Sequence, residues 1–384
     1  MKKKYYNILF YVVWVIFLFS RMMSFYSTVS LQNPILCKWF NRLFKLSIFA
    51  FVILGFLQNR KKTNWIFYII GFTISLIVFY ITKRNNLLFF IVVIFAIKGC
   101  EFDKIAKITL IELLITIFMI NLMSIFGIIP NLVYLRDNKM RNACGFIYVL
   151  HFSGFIHETI FLLLYESLEQ KKYKRILIYI FCILINIIVT IFTVARTHFF
   201  GNLLLVFITM VIQKFKFLNG KKMHRLIGIL IIAFFAFSIV FPLAYKSKGS
   251  QHLLYEGTLN DRIVYTKEII DDYDVKLFGN YIWMNGSAGL KIDNDNEYFY
   301  VDNIYVQLLY MYGLVSTVII TLCIVKKTKD LDEVDSQKAR MIEIWVLIEL
   351  ALGIIIDNSL SLFFNIPILG LFTDRIEEEN TKKC

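Results

Sequence analysis

Residues 226–245 read LIGILIIAFFAFSIVFPLAY, a run without a charge, and the chain then stays polar over 246–302 before a second apolar run opens at Asn303. An uncharged run of this length meets the need of about 20 helical residues to cross the hydrocarbon core of a bilayer. Backbone groups there must pair within their own segment, which a helix does. The same reading extends outward in both directions. Apolar spans fall at about 5–20, 43–58, 65–82, 86–99, 106–128, 146–165, 175–195, 200–215, 226–245, 303–325, 342–357 and 359–373, twelve in all. The last two also read as one re-entrant hairpin around Asp357-Asn358-Ser359. Composition agrees: 58% of the 384 residues are hydrophobic and 18% are charged, below the roughly 25% of a soluble chain. The fold class is all-α, a polytopic integral membrane protein forming a single membrane domain over 1–384.

The net charge of +14 reads as lysine held on one side of a membrane, not as a nucleic-acid surface. With the N-terminus inside, the inner segments carry 26 of the 42 Lys and Arg residues, and six of the other 16 lie in the 246–302 loop. The positive-inside rule is weak for a loop of that length. Both termini are therefore expected in the cytoplasm, and the long loop outside. Lys83-Arg84 is the one short basic pair on the wrong side. Lys2-Lys3-Lys4 precedes the first apolar run without a small-residue cleavage site, so that run is expected to be a retained span. The six cysteines form neither a CxxC nor a Cys/His ligand spacing, so no metal site is expected. No P-loop, HExxH or GxSxG occurs, and no internal repeat.

Within the loop, Asn260 is placed to cap a helix over DRIVYTKEIIDDYD, with Arg262, Tyr265, Thr266 and Ile269 on one face. Such a short amphipathic helix suits the membrane surface. Arg262 reads either as a surface ion pair with Asp261 or Glu268 or as a functional cation. Arg196, in TVARTHFF between two apolar runs, reads either as an interface arginine or as a cation aimed into a cavity holding an anion. His198 reads as an interfacial bystander. Arg141 belongs to a basic outer loop with Arg136 and Lys139, or to a ligand site. Asp302 reads as a helix cap or as a carboxylate held at the bilayer surface. Asp293, Asp295 and Glu297 lack the glycine and distal glutamate of an EF-hand and read as a solvated run. His157-Glu158 reads as a buried polar pair. Within or at the ends of spans the acids are few: Glu112, Glu343 and Glu349.

Several of these residues together resemble the Wzy-type polysaccharide polymerases, in the superfamily that includes the O-antigen ligases. Arg141 with Cys144-Gly145-Phe146 is similar to that family's R-x-x-x-G-F before a central span. Ala195-Arg196-Thr197 is similar to its S-R-T at a helix end, with Ala195 replacing the hydroxyl residue. Asn260-Asp261-Arg262 with Leu277-Phe278-Gly279, and Asp302-Asn303 through Gly313, follow in the family's order over about residues 85–325. Asp302 stands where the ligases carry histidine, which favours polymerase over ligase. The resemblance implies a glycosyltransferase needing no metal or other cofactor. Its donor is an undecaprenyl-diphosphate-linked oligosaccharide, used at the outer face of a bacterial plasma membrane, with a chain-length regulator and a flippase as partners. It assigns Arg196, Arg262 and Asp302 as catalytic and Arg141, Asn303 and Gly279 as substrate-binding. Fixed arginines suit a diphosphate leaving group because guanidinium pairs bidentately with phosphate oxygens. The rival from another class is a lipid-linked oligosaccharide flippase or other transporter.

Overall fold

The computed structural model describes residues 3–57, 62–136, 138–214, 223–244, 258–285, 299–334, 336–356 and 361–373. The helices are α1 (Lys3–Arg21), α2 (Val29–Gln32), α3 (Pro34–Leu57), α4 (Lys62–Thr82), α5 (Asn86–Ile97), α6 (Phe102–Ile125), α7 (Val149–Ser167), α8 (Lys172–Thr193), α9 (Arg196–Lys214), α10 (Met223–Ala244), α11 (Thr258–Asp272), the short turn α12 (Ile304–Val306), α13 (Gly313–Asp332) and α14 (Gln337–Leu352). Among the described residues, seven segments are long and apolar enough to cross a membrane: Tyr5–Tyr26, α3, Trp65–Thr82 of α4, α6, α8, α9 and α10; α5 is a shorter apolar helix. The chain is an all-α membrane protein.

α8 shows how the bilayer is read from side chains. Tyr179, Cys182, Asn186, Val189 and Thr193 are buried at helical spacing, while Ile176, Ile180, Leu184, Ile187 and Ile191 are exposed. Polar groups face the bundle and hydrocarbon faces out, the reverse of a soluble helix. α7 is the central helix, with fifteen of its nineteen residues buried. Its polar residues, surrounded by protein, lower its hydropathy without exposing it to lipid.

Two segments depart from the expected helices. The 303–325 span is broken: α12 passes into a π-turn at Gln307–Met311, and α13 starts at Gly313. The expected 359–373 span is two 3-10 turns, Leu362–Phe364 and Ile366–Leu371, running through the bundle. Pro367 supplies no amide hydrogen for a helix. Irregular backbone is tolerated at this depth because protein, not lipid, surrounds it. Trp345 Nε1 donates to Asn365 Oδ1 at 2.6 Å, and the Ile366 amide donates to Glu158 Oε1 at 3.1 Å. Asp357-Asn358-Ser359, the expected hairpin tip, lies outside the described residues, as do Asp293, Asp295 and Glu297.

One end of the bundle carries an antiparallel hairpin that the sequence reading did not include, β1 (Val133–Arg136) and β2 (Lys139–Asn142), pairing Tyr134 with Arg141. The opposite end is held by charge. Arg340 Nη1 bonds Asp332 Oδ1 at 2.6 Å and Glu343 Oε2 at 2.5 Å, and His224 Nδ1 lies 2.5 Å from Asp332 Oδ2. Lys338 pairs with Asp103 at 3.1 Å and with Glu169.

Candidate functional site

The hairpin explains where Arg141 goes. It is buried, not part of a solvated loop. Its register aims the side chain at the C-terminal end of α8, where Nε donates to the Thr193 carbonyl at 2.8 Å. A cation suits that end of the helix dipole. Gly145, at φ +85°, lies so close to the Ile120 carbonyl and the Ser124 side chain that a Cβ would stand 2.9 Å from each. The R-x-x-x-G-F stretch therefore locks the hairpin exit onto α6 and seats Phe146 in the core.

Thr193 opens the α8–α9 turn. Val194 there has φ 52° and ψ 35°, a left-handed conformation that a β-branched residue adopts only under constraint. Ala195 is buried, and Arg196, the first residue of α9, is exposed. Arg141 thus braces the turn that presents Arg196. His198 is buried, not interfacial: its Nδ1 lies 2.8 Å from Ser153 Oγ on α7.

A second group lies on α11 and the start of α12. α11 begins at Thr258, so Asn260 sits inside the helix instead of capping it. Arg262 Nε stands 2.6 Å from Asp302 Oδ2, with side chains 20% and 24% exposed. The N–H is not aligned on that oxygen as a hydrogen bond requires, so the contact is ionic. The cap of α12 is Asn303, not Asp302: its Oδ1 accepts from the Tyr305 and Val306 amides at 3.0 and 3.2 Å. Asn303 is thereby committed to its own helix, leaving Asp302 as the acidic group.

Gly279 stands where two backbones cross. It has φ +85°, and a Cβ there would stand 1.9 Å from the Met311 carbonyl; one on Gly313 would stand 2.3 Å from the Gly279 amide. Two glycines let two backbones cross at the helix break. Leu314 N bonds the Lys276 carbonyl at 3.0 Å, Val315 N bonds Leu277 at 3.1 Å, and Asn280 N bonds Tyr310 at 3.0 Å. The loop before Gly279 satisfies the groups that the break sets free.

Beside α12 opens an apolar cleft of about 180 Å³ between α4, α5, α13 and α14. Ile304, Tyr305, Cys323, Ile324 and Phe372 are among its walls; its few polar contributors include Asn86, Ser316 and Glu349. The chain therefore carries an ion pair, Arg262–Asp302, two residues from an apolar cleft. The sequence reading missed the cleft because its walls come from segments more than 200 residues apart. Arg141 shares the α8–α9 turn with Arg196, and Arg262 shares a contact with Asp302 beside Asn303; these are two groups, with Gly279 at the helix break.

His157 and Glu158 are both buried but have separate partners. His157 Nδ1 lies 2.6 Å from Asn202 Oδ1 and Nε2 3.2 Å from Glu349 Oε1, while Glu158 takes the Ile366 amide. An acid inside the apolar run IWVLIELAL was the sequence signal for Glu349. Compared with protein families, curated proteins and solved structures, the chain matches none.

Proposed function

We propose that the protein polymerises lipid-linked oligosaccharide repeat units, acting at the hairpin end of the bundle. The observation that carries this reading is the Arg262–Asp302 pair standing beside an apolar cleft. An amphiphile with a diphosphate head and a polyisoprenoid tail calls for both features side by side. In this reading the fold crosses a bacterial plasma membrane about twelve times with both termini in the cytoplasm. Residues 246–302 then face outward, and a flippase and a chain-length regulator act with the enzyme.

Arg262 leaves Asp302 for the donor diphosphate, and Arg196 adds a second cation from the turn that Arg141 braces. An ionic contact that is partly exposed and lacks hydrogen-bond alignment exchanges partners at small cost. The glycosidic bond to the diphosphate breaks, the acceptor hydroxyl oxygen bonds to the anomeric carbon, and Asp302 takes the hydroxyl proton. Negative charge collects on the departing lipid diphosphate, where fixed guanidinium groups stabilise it. Asn303 and Gly279 hold the frame of the site.

Arg196→Ala and Arg262→Ala are each expected to abolish long polymer while the protein still accumulates. Full-length polymer from both variants, in cells lacking the wild-type copy, overturns the reading. Purified protein given a synthetic lipid-linked repeat unit is expected to yield a ladder. A flippase is the second reading, favoured by the buried His157–Glu349 pair at the cleft wall, since transporters place ionisable groups within the membrane. Loss of a polymerase leaves single repeat units displayed outside, whereas loss of a flippase traps them inside.

A further inference from the structure

The His157–Glu349 contact ends a chain of hydrogen bonds whose direction is fixed at its far end. The Phe199 carbonyl can only accept, so Asn186 must present its amide nitrogen there, at 3.1 Å. Asn186 Oδ1 then faces Asn202, which must donate Nδ2, at 2.8 Å. Asn202 Oδ1 is left toward His157 Nδ1, so Nδ1 carries a hydrogen. His157 Nε2 is thereby kept for Glu349 Oε1, 3.2 Å away. Two states fill that gap with one proton: neutral imidazole beside a carboxylic acid, or imidazolium beside a carboxylate. Both leave the pair neutral overall, the condition for keeping ionisable groups in a dry interior.

The pair also borders two cavities. Glu349 lines the apolar cleft on one side and, with His157, His198 and Gly154, a void of about 10 Å³ on the other. The groups facing the pair come from every neighbouring element. On α7, Glu158 is the adjacent buried carboxyl. On α9 the His198 ring centroid is 5.5 Å from that of His157, and on α14 the Trp345 ring stacks on His157 at 4.7 Å. Asn365 reaches the cleft from the 3-10 segment, and Tyr305 and Tyr312 from α12 and the break after it. Glu158 Oε2 is buried without a hydrogen-bond partner among the described residues, so the cluster has a place for a proton beyond the one in the pair.

We infer that His157 and Glu349 form a membrane-embedded binding site for a single proton, exchanged through the lateral cleft and held in one tautomer by Asn202 and Asn186. This goes beyond glycosyl transfer and holds whether or not that reading is correct.

Dicyclohexylcarbodiimide, an apolar reagent that attacks protonated carboxyls from within lipid, tests it on the full chain in membranes. The carboxyl proton moves to a carbodiimide nitrogen while the carboxyl oxygen bonds to the central carbon. Nothing leaves, and the adduct carries the mass of both partners. Peptide mass spectrometry is expected to find the adduct on Glu349. Ile320→Trp, which fills the cleft, is expected to reduce it severalfold. His157→Gln is expected to change the pH dependence of labelling at Glu349, because the acid loses the partner it shares the proton with. Adducts on Glu112 or Glu158 with none on Glu349 overturn the proposal, as does a labelling curve unmoved by His157→Gln. If that variant does not accumulate, nitrogen NMR of the wild-type imidazole decides. Nδ1 is expected to stay protonated throughout a titration while Nε2 exchanges, and the reverse tautomer at high pH overturns the assignment.

Discussion

Two arginine–carboxylate pairs stand at opposite ends of this molecule and serve opposite ends. Arg340, with Asp332 and Glu343, is sealed: the three side chains are 1%, 3% and 0% exposed, and the bonds are aligned. Arg262 with Asp302 is just as short but 20% and 24% exposed and poorly aligned. Distance alone does not distinguish the two pairs; burial and alignment do. A sealed pair that loses one partner leaves a charge stranded in a dry interior, whereas a partly wet pair falls back on water.

The sharpest way to break the comparison is to remove each arginine in turn. Arg340→Ala is expected to cost about 3–5 kcal/mol of stability, read as loss of accumulation or a sharp fall in melting temperature in detergent. Arg262→Ala is expected to leave the melting temperature nearly unchanged. Its effect falls on turnover of a lipid-linked repeat unit, by about 10²–10³-fold if it stabilises the departing diphosphate. Arg262→Lys keeps the charge but loses the fork that matches phosphate, so it is expected to recover only part of that loss. Equal destabilisation by Arg262→Ala and Arg340→Ala would erase the distinction.

Acid sharpens the contrast at the sealed end. Burial alone would raise the Asp332 carboxyl, but the His224 amide and ring and the Arg340 guanidinium overcome it and hold the group down at about 2. A carboxyl held below its ordinary value of about 3.9 contributes stability that is complete above that value and lost as pH falls through the folded one. This contribution is therefore expected to fade between about pH 4 and pH 2. Asp332→Asn is expected to lower stability at neutral pH by less than Arg340→Ala does and to flatten the dependence in that window. Thermal melts across the acid range check both points.

Much of the helical frame was legible because the bilayer demands long apolar runs; α8 follows its hydropathy residue by residue. The helix break at 307–313 was not legible, because YVQLLYMYG stays apolar through it and only Gly313 marks the change. His198 was misjudged for a local reason. With α9 started at 200, the histidine fell outside the helix, whereas a start at Arg196 puts His198, Asn202, Leu205 and Thr209 on one buried face. Arg141 could not be placed from its neighbours, since its partner Thr193 lies 52 residues away and is reached only through the hairpin. Asp302 could be read as the cap because either residue type can cap, and only geometry shows that Asn303 does so.

The smallest expected effect concerns the turn that carries Arg196. A left-handed backbone costs an L-residue about 1–2 kcal/mol, and Val194 bears that cost at φ 52° where glycine would not. Arg141 and the Thr193 hydroxyl, 3.3 Å from the Ala195 amide, hold it in place. Val194→Gly relieves the strain but gives the unfolded chain more freedom, which returns about 0.4–1 kcal/mol. The balance is expected to be a gain of about 1 kcal/mol or less, a rise of a few degrees at most in melting temperature. If the strain serves to fix the direction of Arg196, the same variant is expected to bind the lipid diphosphate more weakly while melting higher. A variant that melts lower would instead show that the partly buried valine side chain, and not the strained backbone, is what the turn requires.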